Sequence, residues 1–180
     1  MTVLTILEVP DPGLRAVASP VSEVDDSIRA TLADMFETMY AARGIGLAAI
    51  QVGIEKRLVV IDLQEPEEEG GEPVRKPVAF VNPELLWVSD ELAVYNEGCL
   101  SIPEQYGEVE RPDVVRARWL DEQGRTQEGE FGGLMSVCLQ HEVDHLNGVL
   151  FIDHLSRLKR DMIVKKVVKA RKEREKAAIL

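Results

Sequence analysis

Apolar positions between Asp25 and Gly44 fall at Ile28, Leu32, Met35, Phe36 and Met39, the repeat of a helix with one buried face. Asp25-Asp26-Ser27 supplies N-cap oxygens ahead of it, and Gly44 is expected to end it. Upstream, Pro10-Asp11-Pro12-Gly13 reads as a turn that closes a short extended arm. Downstream the period changes to that of strands. Leu58–Ile61 is a short apolar run, and Val78–Val81, Leu85–Val88 and Leu92–Tyr95 read as strands divided by Asn82-Pro83 and Ser89-Asp90. Val114–Asp121 alternates, turns at Gly124 and returns through Gln127–Phe131. Gly132-Gly133 breaks that strand and opens a helix carrying two histidines. A last helix runs from about 156 to 176, with Leu158, Met162, Val164, Val167 and Val168 as an imperfect apolar stripe. The acidic, turn-rich stretch from Glu65 to Pro73 reads as a solvated loop. This order predicts an α+β fold with antiparallel or mixed sheets around the histidine helix, closed by a C-terminal helix. A chain of 180 residues is expected to be one domain, residues 1–180.

Charge narrows the partners. The net charge of −11 argues against DNA or RNA as the main partner. The basic residues are unevenly placed: the final helix carries Arg157, Lys159, Arg160, Lys165, Lys166, Lys169, Arg171, Lys172, Arg174 and Lys176 against Asp161, Glu173 and Glu175. That helix reads as packed with a charged outer face, or as a docking face for an anionic surface. No stretch has the length of a membrane span, and the N-terminus lacks the pattern of an export signal. Two cysteines, Cys99 and Cys138, make no disulfide framework, so the chain reads as cytoplasmic.

The candidate chemistry centres on Gln140-His141-Glu142-Val143-Asp144-His145. Residues at i and i+4 share a helix face, so His141 and His145 can hold one metal ion between them. Glu142 points about 100° away around the helix axis, placed to move the protons of a water without being a ligand. An open catalytic site needs a third protein ligand. His154 does not fit the longer zinc-protease pattern, whose third histidine position is Phe151 here. Cys138 lies about 10 Å along the helix from His145 and reads as a small apolar wall. Cys99, at a strand end beside Gly98, is favoured over any carboxylate, though spacing alone leaves the choice open.

Gly44-Ile45-Gly46-Leu47-Ala48-Ala49-Ile50-Gln51 loosely matches a dinucleotide fingerprint, with Asp62 where a ribose-binding acid could stand. The context rejects it, because the stretch leaves a helix rather than a strand. Its glycines instead allow close approach of another backbone, and Gln51 offers an amide donor.

Taken together, Gly44–Gln51, Glu97-Gly98-Cys99-Leu100-Ser101 and Gln140–His145 resemble, in order, the three motifs of the peptide deformylases. The resemblance extends over nearly the whole chain. It implies one divalent metal held by Cys99, His141 and His145 with water in the fourth position. Fe(II) is the expected ion, with zinc, nickel or cobalt as substitutes. It also implies Glu142 as general base and then acid, with Gln51 and the Leu100 N–H stabilising the oxyanion. The implied substrate is the formylmethionyl end of nascent chains, lying as an added strand along Ile45 and Gly98, with Gly46 and Glu97 as further contacts. Its methionine would sit among Ile45, Leu134, Val137 and Cys138. A monomer and a ribosome-facing basic C-terminal helix are implied as well. Two positions depart from the family pattern: Tyr106, where many relatives carry a basic residue, and Arg43, where small or acidic residues are common.

Overall fold

The computed structural model describes residues 2–66, 68 and 70–178. In chain order the elements are α1 (Asp26–Ala41), β1 (Gly46–Ala48), β2 (Leu58–Ile61), β3 (Val78–Val88), β4 (Leu92–Cys99), β5 (Ile102–Pro112), β6 (Val114–Leu120), β7 (Thr126–Gly132), α2 (Gly133–Leu146) and α3 (Arg157–Ala177). Short 3₁₀ turns occupy Pro12–Arg15, Ala49–Val52 and Phe151–His154. Five strands form one antiparallel sheet in the order β1-β2-β3-β6-β7, and β4 pairs with β5 in a second. The expected α+β class is correct.

The sheet separates two helices, and β2 shows why its whole run is apolar. Val59 and Ile61 face a core shared with Phe80, Leu139, Val143 and Leu146, on the α2 side. Leu58 and Val60 face Ile28, Leu32, Met35 and Met39 of α1. Successive strand residues point to opposite faces, so a strand covered on both sides must be apolar at every position. The α1 face predicted from periodicity is the buried one. Its N-cap is Asp25, which accepts from the Ile28 N–H at 2.9 Å. The helix ends at Ala41, before Gly44, through a turn in which Arg43 takes φ 57°.

Three expectations are corrected. Val78–Val88 is one strand, not two. Asn82, at φ 52°, shifts the register, and its side chain accepts from Val21 N–H and donates to Val21 C=O, both at 2.8 Å. The strand therefore survives a residue pair that reads as a break. Second, Ile102–Pro112 is a strand that the pattern did not announce, because Pro103, Gly107 and a polar outer face mask its alternation. Third, α3 buries Ile163 and Val167, with Val164 packed beside them against Ile102, Val109 and Phe151. Leu158 and Met162 are 72% and 50% exposed, so the contact face lies about a quarter-turn from the expected stripe. None of the described helices is long and apolar enough to cross a membrane.

Candidate metal centre

The helix α2 is buried on nearly all sides, from Ser136 to Leu146 with only Asp144 partly open. It starts at Gly133 with φ 56° and is tied to the end of β5 by Gln140, whose amide donates to the Pro112 C=O at 2.9 Å. This placement turns His141 and His145 toward Cys99 at the end of β4. The Nε2 atoms of the two rings are 3.2 Å apart, and Cys99 Sγ lies 3.2 Å from His145 Nε2. Among the described residues, Cys99, His141 and His145 form the group whose donor atoms all fall within 4.8 Å of one another. Two imidazoles and a thiol suit zinc, iron, cobalt or nickel.

The surroundings fit a cation there. Burial disfavours a proton on His141, yet contacts to Cys99 and the Glu97 carboxylate hold its proton affinity well above the ordinary range. Burial drives His145 the other way, well below the usual imidazole range, leaving it a neutral donor. His141 Nδ1 hydrogen-bonds to Glu97 Oε2 at 2.8 Å, which leaves Nε2 for the ion.

Behind Glu97 stands a residue the sequence reading overlooked. Arg111 is buried, and its guanidinium reaches Glu97 at 2.5 and 3.0 Å and Asp144 at 2.8 Å. Asp144 in turn contacts His154 at 2.9 Å, so His154 ends the chain of contacts near the surface rather than entering the metal group. Burial alone would raise Glu97; hydrogen bonds from His141 and Arg111 outweigh it and hold the carboxyl at about 2. Both Glu97 oxygens are therefore engaged inside the protein, and its side chain orients His141. The signal for Arg111 was present: it shares the inward face of β5 with Val109, where an arginine requires a carboxylate partner.

Gln51 is fixed by the backbone three residues before it. Its Oε1 accepts from the Ala48 N–H at 2.8 Å, which directs Nε2 to Cys99 Sγ at 3.4 Å and Ser101 Oγ at 3.2 Å. Glu142 lies beside the ring pair, its Oε2 buried without a hydrogen-bond partner, and burial pushes its carboxyl up to about 7. Gly46 passes directly over it. A Cβ at Gly46 would lie 2.5 Å from Glu142 Oε1 and 2.9 Å from Cys138 Sγ, so only glycine admits this approach. Cys138 stays outside the metal group; burial and then Glu142 raise its thiol well above the usual range.

A cavity of about 560 Å³ opens from this centre. Ile45, Gly46, Gln51, Glu97, Gly98, Leu100, Leu134, Val137 and Cys138, all named from the sequence, line it together with Cys99, His141 and Glu142. β1 is an edge strand of its sheet, so one side of its backbone is open to this groove. The nucleotide fingerprint is set aside by contacts: Asp62 accepts from Tyr40 Oη at 2.6 Å and from the Gln64 and Lys76 N–H groups at 3.0 Å.

Comparison with known proteins agrees with this geometry. The family model described as polypeptide deformylase matches residues 3–161. A peptide deformylase of Rhizorhabdus wittichii is 63% identical over 177 residues, covering 98% of this chain and 100% of that protein. The Ehrlichia chaffeensis peptide deformylase, crystallised in complex with actinonin, superposes with a TM-score of 0.88 at 42% identity, covering 94% of this chain and 98% of that one. A class I type b peptide deformylase of Acinetobacter baumannii, crystallised with Met-Ala-Ser bound, gives a TM-score of 0.77 at 39% identity over 86% of this chain and 99% of that one. With its three motif stretches folded around one cavity, this chain belongs to the polypeptide deformylase family of enzymes.

Proposed function

We propose that this chain hydrolyses the amide bond between the formyl group and the N-terminal methionine of newly made polypeptides, releasing formate. One observation carries the reading. An open strand edge and a cavity walled in part by Ile45, Leu134, Val137 and Cys138 meet at a three-donor group with an unpartnered carboxyl beside it. An extended peptide can add to β1 through main-chain hydrogen bonds, which are indifferent to sequence, while Ile45, Leu134, Val137 and Cys138 receive the methionine side chain. Cys99, His141 and His145 would hold one divalent ion, Fe(II) by family resemblance, with zinc, nickel or cobalt able to replace it. When bound, that ion supplies the Lewis acidity that makes water nucleophilic near neutral pH.

The remaining steps belong to the chain's own groups. Glu142 takes the proton of the attacking water as its oxygen bonds to the formyl carbon, then delivers that proton to the departing amine nitrogen. Its carboxyl, raised by burial, suits both tasks near pH 7. The Gln51 amide, locked by Ala48, and the Leu100 N–H stabilise the negative charge that builds on the former carbonyl oxygen. The Glu97–Arg111–Asp144 chain keeps the His141 ring from turning. The enzyme acts as a monomeric, single-domain protein of the cytoplasm, and the basic face of α3 docks it to the ribosome. The test is formate release from formyl-Met-Ala-Ser by protein purified anaerobically with iron. Formate at one equivalent per free amine is expected; internal peptide cleavage, or no turnover by the iron-loaded protein, would overturn the reading.

A further inference from the structure

Two charged side chains stand at the mouth of the groove without any role in holding the fold. Arg43 lies between α1 and the open edge of β1, and Glu104 lies on β5, on the wall that β4 and β5 build; both line the cavity and both are exposed. Each has a left-handed backbone, with φ 57° at Arg43 and 59° at Glu104. Residues other than glycine rarely adopt that conformation, and those that do concentrate at ligand sites. Neither side chain has an ion-pair or hydrogen-bond partner among the described residues. The other carboxylates of the cavity, Glu97 and Glu142, are buried at its inner end. Among the described residues, Arg43 is the one arginine or lysine lining the cavity, and Glu104 the one exposed carboxylate. Across the β4–β5 ladder Tyr106 pairs with Gly98, and its ring lies so close that a Cβ at Gly98 would meet it at 2.7 Å. An aromatic surface therefore extends the cavity on the Glu104 wall.

We propose that Arg43 and Glu104 sort formylated peptides by the charge of the residues that follow methionine. An acidic side chain is drawn to Arg43 and a basic one to Glu104. This rests on the reading that a formylmethionyl peptide occupies the groove as a strand beside β1. With the peptide backbone between the two walls, side chains beyond the buried methionine reach outward to the mouth, where these two charges stand. Both charges are solvated, so each attraction is weak and screened by salt. That strength tunes rates among many substrates without excluding any, which suits an enzyme whose main-chain contacts ignore sequence.

The experiment compares kcat/KM, from formate release, for formyl-Met-Ala-Ala and its variants with Asp or Lys at the second or third position. The wild type is measured beside Arg43→Asn, which keeps a residue tolerant of the left-handed backbone, and Glu104→Gln. In Arg43→Asn the Asp-to-Ala ratio should fall about threefold to fivefold at one of the two positions while the Lys-to-Ala ratio holds. In Glu104→Gln the Lys-to-Ala ratio should fall by a similar factor while the Asp-to-Ala ratio holds. Both preferences should shrink in about 0.5 M salt, roughly three times physiological ionic strength, because exposed charges are then strongly screened. Ratios taken within one variant do not depend on its folded fraction. Unchanged ratios in both variants, with formyl-Met-Ala-Ala still turned over, would overturn the charge sorting alone; no turnover of formyl-Met-Ala-Ala by the loaded wild type would overturn the underlying reading.

Discussion

The two helices of the last third of the chain, α2 and α3, use polar residues in opposite ways. On α2 the polar groups are interior: Gln140 and His141 hold partners on other elements, and Glu142 is left with a buried, unpartnered oxygen. On α3 the charges form spaced surface pairs such as Lys169–Glu173 at 4.0 Å and Arg171–Glu175 at 3.7 Å, with only Ile163 and Val167 buried. A buried polar group without its partner keeps its desolvation cost, whereas an exposed one returns to water. The same kinds of residue are therefore costly to change on one helix and nearly neutral on the other.

The sharpest break of this contrast is chemical. Glu142→Ala should lower kcat for formate release by about 10²–10⁴-fold, the range for losing a general acid–base group. Metal content should stay that of the wild type, because Glu142 is not one of the three clustered donors. Full turnover with metal retained would mean that another group moves the proton.

The next effect concerns the support behind α2. Arg111→Met strands Glu97 in the interior and should cost about 3–5 kcal/mol in denaturant unfolding. With Glu97 no longer anchored behind the His141 ring, metal affinity measured by competition with a chelator should drop about 10–100-fold. A variant that unfolds like the wild type would show that water replaces the guanidinium.

A pH series sharpens the same point with a smaller effect. The folded carboxyl of Glu97 sits at about 2, below its ordinary value of 4.5. A carboxyl lowered on folding contributes stability that is complete above its unfolded value and fades as pH falls toward its folded one. Melting temperature should therefore decline between pH 4.5 and 2, and Glu97→Gln should flatten that decline. An equally steep slope in the variant would assign it to other carboxylates. At the small end, Lys169→Ala on α3 should move the melting temperature by less than about 2 °C, read in the same thermal scan.

Particular residues show how far the chain could be read before it was folded. The α1 face was legible because Ile28 through Met39 repeat at helical spacing, and the Gly132-Gly133 break lies where α2 starts, Gly133 taking φ 56°. The strand Ile102–Pro112 was not, since its inward positions include Gly107 and Arg111, whose burial depends on residues that arrive from Leu155, Glu97 and Asp144. The contact face of α3 was missed for a related reason: Leu158 and Met162 are as apolar as Ile163 and Val167, and only the position of β5 and Phe151 decides which pair is covered.

Two histidines four positions apart on a helix, with a glutamate between them, already point to a candidate metal pair with a carboxyl beside it, because i and i+4 neighbours need nothing but the helix itself. The arrival of Cys99 at that pair is a matter of tertiary structure, as is the buried Arg111 that steadies it through Glu97. Each depends on contacts across long stretches of chain, and no local period encodes such distances.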